Sequence, residues 1–392
     1  MGVGNLMIVQ GGGPTAVFNA SLASTISEGV SQPGLGRVFG ARYGMRGLVQ
    51  DDIVELDQMT AGELELLRNS PGAALGSSRY KPSDGDYERM VENLRRRDIR
   101  SVIFMGGNGT MKGAALVSKH CRDAGFSVQV IGVPKTVDND IAMTDRCPGF
   151  ASAARYMAQT TRDLGMDIRS LPQPVTILEV IGRSIGWLAA ATALAKDRDA
   201  DAPHLIYLPE KPFYAEKFLA DLDQIVTKYG WAIVVATEGI RNPDGSLVYE
   251  LKDATHLDPL ARPMTGGVGQ FMANLVGEML KIRCRTEKPG LIARAAMTQV
   301  SAQDQKDAEL VGRAGVHALA AGETEKMVSL LPLKHASKNG YELVPLSEVA
   351  DAERPLPAEW ILDAAIPVAD KFFDYVKPLV GKLTPYFVRY TN

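Results

Sequence analysis

A mostly parallel α/β fold is what this sequence predicts, on three observations. Short runs rich in Val and Ile alternate with amphipathic stretches, Gly or Pro bounds the runs, and unusual polar chemistry follows several of them immediately. Repeated strand, loop and helix order is the pattern of parallel sheets covered by helices. The strand candidates are Leu6–Gln10, Ser101–Met105, Val128–Val133, Val175–Ile181, Leu205–Leu208 and Ala232–Ala236. The helical candidates between them include Asp86–Arg97, Met111–Ala124, Gly149–Leu164 and Ala215–Lys228. Ligands of such sheets sit beyond the carboxyl ends of the strands, so the residues just after each strand are the ones to inspect.

Bulk properties narrow the function classes. With 392 residues, 45% hydrophobic and 23% charged, the chain can bury a large core and has room for two or three domains. A net charge of -3 argues against a basic nucleic-acid surface. No apolar stretch approaches the length of a membrane span. The N-terminus lacks the basic region of a signal peptide, and Leu6 stands where a myristoylation site wants Ser or Thr. The expected location is therefore cytoplasmic. Cys121, Cys147 and Cys284 form no CxxC pair and read as reduced structural thiols. His120, His204, His256, His317 and His335 show no metal-ligand spacing. A domain boundary is expected near Pro148-Gly149. The "ENLRRRDIR" stretch reads as a solvated helix end, and the aromatic C-terminus as packing or a subunit interface.

Four strand ends carry the chemistry. "GGGPT" follows the first strand, "GGNGT" the second, "PKTVDNDI" the third and Gly182-Arg183 the fourth. Glycine lets backbone N–H groups approach an anion closely, and a following helix N-terminus adds partial positive charge. Gly72-Ala-Ala-Leu-Gly-Ser-Ser-Arg79 adds a further glycine loop to the same half. Neither a Walker motif nor a dinucleotide fingerprint is present.

In "GVPKTVDNDI" two acids stand one residue apart. Phosphoryl transfer needs positive charge along the transferred group and a base at the attacking hydroxyl. Lys135 can supply the charge. Asp138 or Asp140 can take the proton, while the other orients the hydroxyl or holds Mg2+. The same residues would also suit an Asx turn that satisfies backbone N–H groups. Arg183 could stabilise charge on a transferred phosphoryl group, or could be a surface arginine.

With these residues in view the chain resembles the ATP- and pyrophosphate-dependent phosphofructokinases, and is most similar to the branch that contains pyrophosphate-dependent members. The similar segments, in the family's order, include "GGGPTAVFNASL", "PGAALGSSRYK", "GGNGTMKGA", "VPKTVDNDI", "TDRCPGFASAARY", "LEVIGRSIGWLAAATALA", "TEGIRNPDG", "GGVGQFMANLV" and "KPGLIARAAM". The resemblance implies two Rossmann-like domains with an active-site cleft between them. Residues 1–149 would bind the phosphoryl donor and 150–392 the sugar phosphate, with the chain returning to the first domain around 295–325.

Roles follow from the same resemblance. Asp138 matches the base on the sugar's 1-hydroxyl, Asp140 the second acid near that hydroxyl and the metal, and Thr136 the hydroxyl that touches the transferred group. Arg183 matches the arginine that stabilises that group, with Ile181 and Gly182 flanking the sugar. Glu238 matches the acid on the sugar hydroxyls. Arg285 and Arg294 match arginines for the 6-phosphate, one of them usually reaching across a subunit interface, which implies a homodimer or homotetramer. Arg79, Gly12, Gly13, Gly107 and Gly109 match the donor site. Asn108 and Asp140 match the Mg2+ position. The implied substrates are fructose 6-phosphate and pyrophosphate, with no nucleic-acid or membrane partner.

Three positions depart from the common pattern, and two more bear on the donor. Asn108 stands where the family usually has a metal-binding Asp. Pro174 replaces an arginine of ATP-type members, and Leu291 a histidine or tyrosine near the 6-phosphate. Lys135 marks pyrophosphate users, whereas Gly109 leaves the room an ATP user needs. The expectation is pyrophosphate. The alternatives are ATP as donor, another acceptor such as sedoheptulose 7-phosphate, or a non-catalytic sugar-phosphate-sensing subunit.

Overall fold

The computed structural model describes residues 4–170, 174–250, 266–335, 339–350 and 352–386. Eleven strands form among these residues. They are β1 (Gly4–Gln10), β2 (Leu35–Ala41), β3 (Ile53–Glu55), β4 (Ile99–Gly106), β5 (Gln129–Pro134), β6 (Val175–Val180), β7 (Leu205–Tyr207), β8 (Ala232–Thr237), β9 (Cys284–Glu287), β10 (Lys326–Leu330) and β11 (Tyr341–Pro345).

The chain divides into two compact units. The first holds residues 1–150 and 304–354, the second 151–303 and 355–392. The return to the first unit thus runs later and longer than the expected 295–325. The reason is that β10 adds to the first sheet beside β5 and brings β11 with it. Neither β10 nor β11 stands out in the sequence, nor do β2, β3 and β9. Of these, β3, β9 and β11 are short edge strands, which need only one buried face and so lack the continuous apolar run of a central strand.

The sheet of the first unit has the order β11-β10-β5-β4-β1-β2-β3. Its centre is parallel, and both edges close with antiparallel pairs, β2 with β3 and β10 with β11. Strands β1 and β4 are buried on nearly every residue, because helices cover both faces. They are neighbours, yet β1 leads to β2 on one side and β4 to β5 on the other. This reversal of direction opens a crevice at their carboxyl ends, between "GGGPT" and "GGNGT". The helix after β4 runs Asn108–Asp123, three residues earlier than its apolar periodicity predicts, with Gly107 at its N-cap.

The second unit has a four-stranded parallel sheet of order β7-β8-β6-β9. Strands β6 and β8 are its buried centre, and their carboxyl ends carry Gly182-Arg183 and Glu238. The aromatic tail packs here: Phe372 and Val376 are buried, and Trp187 lies against Trp360, Phe372 and Tyr375. Residues 387–390 of that tail, and His256, lie outside the described residues. No helix among the described residues is long and apolar enough to cross a membrane. Cys121, Cys147 and Cys284 are free, and burial raises all three thiols well above their usual range.

Candidate active site

In the first unit, the loops after β1, β4 and β5 interlock. The Gly11 N–H donates to the Met105 carbonyl at 2.8 Å, and the Lys135 N–H to the Gly106 carbonyl at 3.0 Å. Gly12 is left-handed, φ 77°. Lys135 is almost fully buried, and its ammonium donates to the Gly13 carbonyl at 2.6 Å while sitting 4.5 Å from the Phe18 ring centre. A Cβ on Gly12 would come within 3.2 Å of that ammonium. The lysine charge thus lies directly behind the first glycine loop and braces it. The loop that carries exposed Arg79 is drawn to the same place. Ser77 Oγ donates to the Gly12 carbonyl at 2.6 Å, and buried Gln10 and Asn19 accept the Leu75 and Ala74 N–H groups.

Glycines 11 and 106 are required by packing, because a Cβ on either would strike the Thr110 side chain. Gly109 is not: a Cβ there would meet nothing within 4 Å. The fold leaves that position open.

The "TVDND" stretch forms a tight loop. Thr136 Oγ1 accepts the Asp138 N–H at 3.1 Å. Asn139 is left-handed, φ 57°, and its side chain accepts the Cys147 N–H at 3.0 Å. The turn is thus shaped by Thr136 and by Asn139, which stands between the two acids. Asp140 Oδ2 accepts from Asn108 Nδ2 at 3.1 Å. The second oxygens, Asn108 Oδ1 and Asp140 Oδ1, are both buried without a hydrogen-bond partner. Burial pushes the Asp140 carboxyl above its ordinary range, and Glu353 adds to the push against Thr136 and Lys135. Among the described residues no group of three or more His, Cys, Asp or Glu side chains gathers as a metal site.

Segments far along the chain fix this loop. Arg146, in "TDRCPGF", makes a buried two-pronged pair with Asp307 at 2.7 and 2.8 Å, and Asp304 accepts the Gly149 N–H at 2.8 Å. Both acids stand on the helix Ala302–Ala320.

In the second unit the ends of β6 and β8 meet. The Glu238 N–H donates to the Val180 carbonyl at 3.1 Å. A Cβ on Gly239 would lie 1.8 Å from the Arg183 carbonyl oxygen, so only glycine allows the two loops to touch. Gly182, φ 158°, packs against Ile185 and Thr237. Ile181, Gly182, Arg183 and Glu238 therefore share one place. Nearby, the buried carboxylate of Glu179 accepts the Gly267 and Gly269 N–H groups and pairs with Lys288 at 2.7 Å.

The other two arginines are arranged differently. Arg294 stands on the short helix Ile292–Ala295, beside Leu291, whose surface is 69% exposed. Arg285 lies inside β9 opposite Thr176, on the exposed face. That is four residues short of the end of β6, or about 13 Å at ~3.3 Å per residue. Within one chain the second unit does not bring Arg285 to the Arg183–Glu238 corner. Pro174 uses its carbonyl to accept the Ala232 N–H at 2.6 Å.

Sequence reasoning missed Lys288, Asp304, Asp307 and Arg354. Arg146 lies inside one of the similar segments, but its partner carries no local signal.

A family model described as phosphofructokinase matches residues 5–319. A pyrophosphate–fructose 6-phosphate 1-phosphotransferase of Xanthomonas campestris is 35% identical over 97% of this chain and 93% of its own. A sulfofructose kinase of Alkalicoccus urumqiensis is 36% identical over 90% of this chain and 91% of its own. The crystal structure of a pyrophosphate-dependent phosphofructokinase from Marinobacter aquaeolei is 34% identical, with a TM-score of 0.85, over 98% of this chain and 94% of that one.

Proposed function

Since the chain belongs to the phosphofructokinase family, we propose that it transfers a phosphoryl group from pyrophosphate to the 1-hydroxyl of fructose 6-phosphate. The observation that carries this reading is the interlocked crevice of the first unit, where two glycine loops, Lys135 and the Asp138–Asp140 pair converge.

In this reading Asp138 takes the proton as the sugar O–H bond breaks. The sugar oxygen forms a bond to phosphorus, the donor P–O bond breaks, and phosphate leaves. Thr136 faces the transferred group, and Arg183 offsets its charge. Glu238, at the same corner as Arg183, holds sugar hydroxyls. Gly12, Gly13, Gly107 and Arg79 hold the donor, and Lys135 adds charge behind the first loop. The two partnerless oxygens, Asn108 Oδ1 and Asp140 Oδ1, fit Mg2+, a hard cation usually held by one or two carboxylates together with substrate phosphates and water. The ion bound there would neutralise charge on the donor phosphates. Arg285, which lies too low on β9 to serve its own Arg183 corner, suits a second subunit's sugar phosphate, so the active form is a homodimer or larger in a cytoplasmic setting.

Two observations favour variants of the same chemistry. The open space at Gly109 leaves room for a nucleotide. Exposed Leu291 and chain-bound Pro174 leave the distal anion of the acceptor with fewer partners, which would suit another anionic ketose, including a sulfonated one. Assays of the purified chain with Mg2+, crossing pyrophosphate and ATP with fructose 6-phosphate, sedoheptulose 7-phosphate and 6-deoxy-6-sulfofructose, decide among them. The expected best kcat/KM is with pyrophosphate and fructose 6-phosphate. Turnover of no pair would refute the catalytic reading and favour a sensing subunit.

A further inference from the structure

We propose that Arg354 is a positioning residue for phosphoryl transfer, holding the Asp138–Asp145 loop and with it the acid pair in reactive shape. The proposal rests on the reading of Asp138 as the base.

Four contacts carry it. The Arg354 backbone N–H donates to the Asp140 carbonyl at 2.8 Å. Its neighbour Glu353 forms an antiparallel bridge with Ile141. The Arg354 guanidinium donates through one nitrogen to the carbonyls of both Thr144 and Asp145. These contacts bracket Met143, which is held left-handed at φ 62°. A side-chain-bearing residue in that region is sparsely populated and persists where its surroundings over-determine it.

The loop has no ladder of its own, so its carbonyls need donors from elsewhere. Ser329 Oγ supplies one, to Met143. Arg354 supplies three, to residues 140, 144 and 145. Glutamate 353 and Arg354 close the first unit, since the chain passes into the second at Pro355. The clamp is therefore more than 200 residues from the loop it shapes. Without the guanidinium, the carbonyls of 144 and 145 would turn towards water and Met143 would relax, while the Asp140 carbonyl would keep the Arg354 backbone N–H and the Asn108 Nδ2 donor at 3.4 Å. Small displacements of a catalytic base cost rate more than binding.

The test compares Arg354→Met and Arg354→Lys with the parent chain, using whichever donor and acceptor the parent turns over. Arg354→Met should lose about 10–100-fold in kcat with both KM values within about twofold, as expected for misplacement without lost substrate contacts. Arg354→Lys, which keeps a cationic donor, and added guanidinium with Arg354→Met should each restore part of the rate. Amide exchange should speed up at residues 139–145 in Arg354→Met and not in the second unit. A folded Arg354→Met with parental kcat, or with unchanged exchange in that loop, overturns the proposal. If Arg354→Met fails to fold, Arg354→Lys alone decides: parental exchange at 139–145 with a lowered kcat would contradict positioning. A parent chain inactive on every pair would instead refute the functional reading, while the exchange experiment would still decide the loop.

Discussion

The two units build their candidate sites in opposite ways. In the first, five chain segments lock together through buried and half-buried groups: Lys135 under the glycine loop, Asn108 on Asp140, Arg146 on Asp307, Asp304 on Gly149 and Arg354 on the loop carbonyls. In the second, the Arg183–Glu238 corner and the neighbouring Glu179–Lys288 pair are tightly made, while the arginines read for the sugar phosphate are not. Arg285 and Leu291 are exposed, and Arg294 rides on a four-residue helix. Chemistry that moves a proton and a phosphoryl group requires groups fixed in place. Recognition of the far end of a sugar can be altered by exchanging exposed side chains. The contrast teaches where this chain is constrained and where it is free to differ in substrate.

The largest expected effect is on the constrained side. Asp138→Asn should lower kcat by about 10²–10⁴-fold, the usual contribution of a general base, with the fold intact. Parental kcat in a well-folded Asp138→Asn would remove that residue from catalysis. Next, Asp307→Asn takes the two-pronged carboxylate from the buried Arg146 guanidinium, which is 5% exposed and keeps Asp145 at 3.3 Å and the Leu331 carbonyl at 2.7 Å. Breaking a buried pair costs about 3–5 kcal/mol when the remaining charge is left uncompensated, so with Asp145 still beside Arg146 denaturant unfolding should show a loss of up to about 3 kcal/mol. A loss below about 1 kcal/mol would mean that the loop does not depend on this pair.

Acid should act on the other unit. His204 is buried, its Nδ1 accepts the Ile233 N–H at 3.1 Å, and burial lowers its pKa from 6.5 to about 3. The unfolded chain therefore binds a proton that the folded chain refuses. This contribution to stability is complete above pH 6.5 and is lost as the pH falls towards 3. Between pH 7 and 5 the loss is about 2 kcal/mol. Denaturant midpoints at the two pH values measure it, and His204→Gln should flatten the difference. An unchanged slope in that variant would assign the acid sensitivity to other groups.

The smallest effect on stability is expected at Gly109. Its Cβ position is empty, so Gly109→Asp should shift stability by no more than about 0.5 kcal/mol, like other surface changes. Any ATP turnover should nevertheless disappear while pyrophosphate use survives. ATP turnover that persists in Gly109→Asp would show that the open space does not face the nucleotide.

Much of this was readable from the sequence. The central strands β1, β4, β5, β6 and β8, the glycine loops after them and the acid pair all follow from periodicity and turn chemistry, which act over a few residues. The edge strands β3, β9 and β11 were missed because half-exposed strands of three to five residues lack that periodicity. The glycines looked alike in sequence. Only the structure separates Gly239, which packing demands, from Gly109, which packing ignores.

The sequence by itself determined the α/β class, the placing of chemistry at strand ends and the identity of the acids, since each depends on neighbours in the chain. Tertiary structure decided that Lys135 lies under the first glycine loop, that Arg285 stands away from the Arg183 corner, and that Asp307 and Arg354 hold the loop of the acid pair. The Lys135, Asp307 and Arg354 contacts join residues about 120 to more than 200 positions apart. A buried charge or carbonyl takes its partner from whatever the fold brings beside it, and separation along the chain carries no record of that choice.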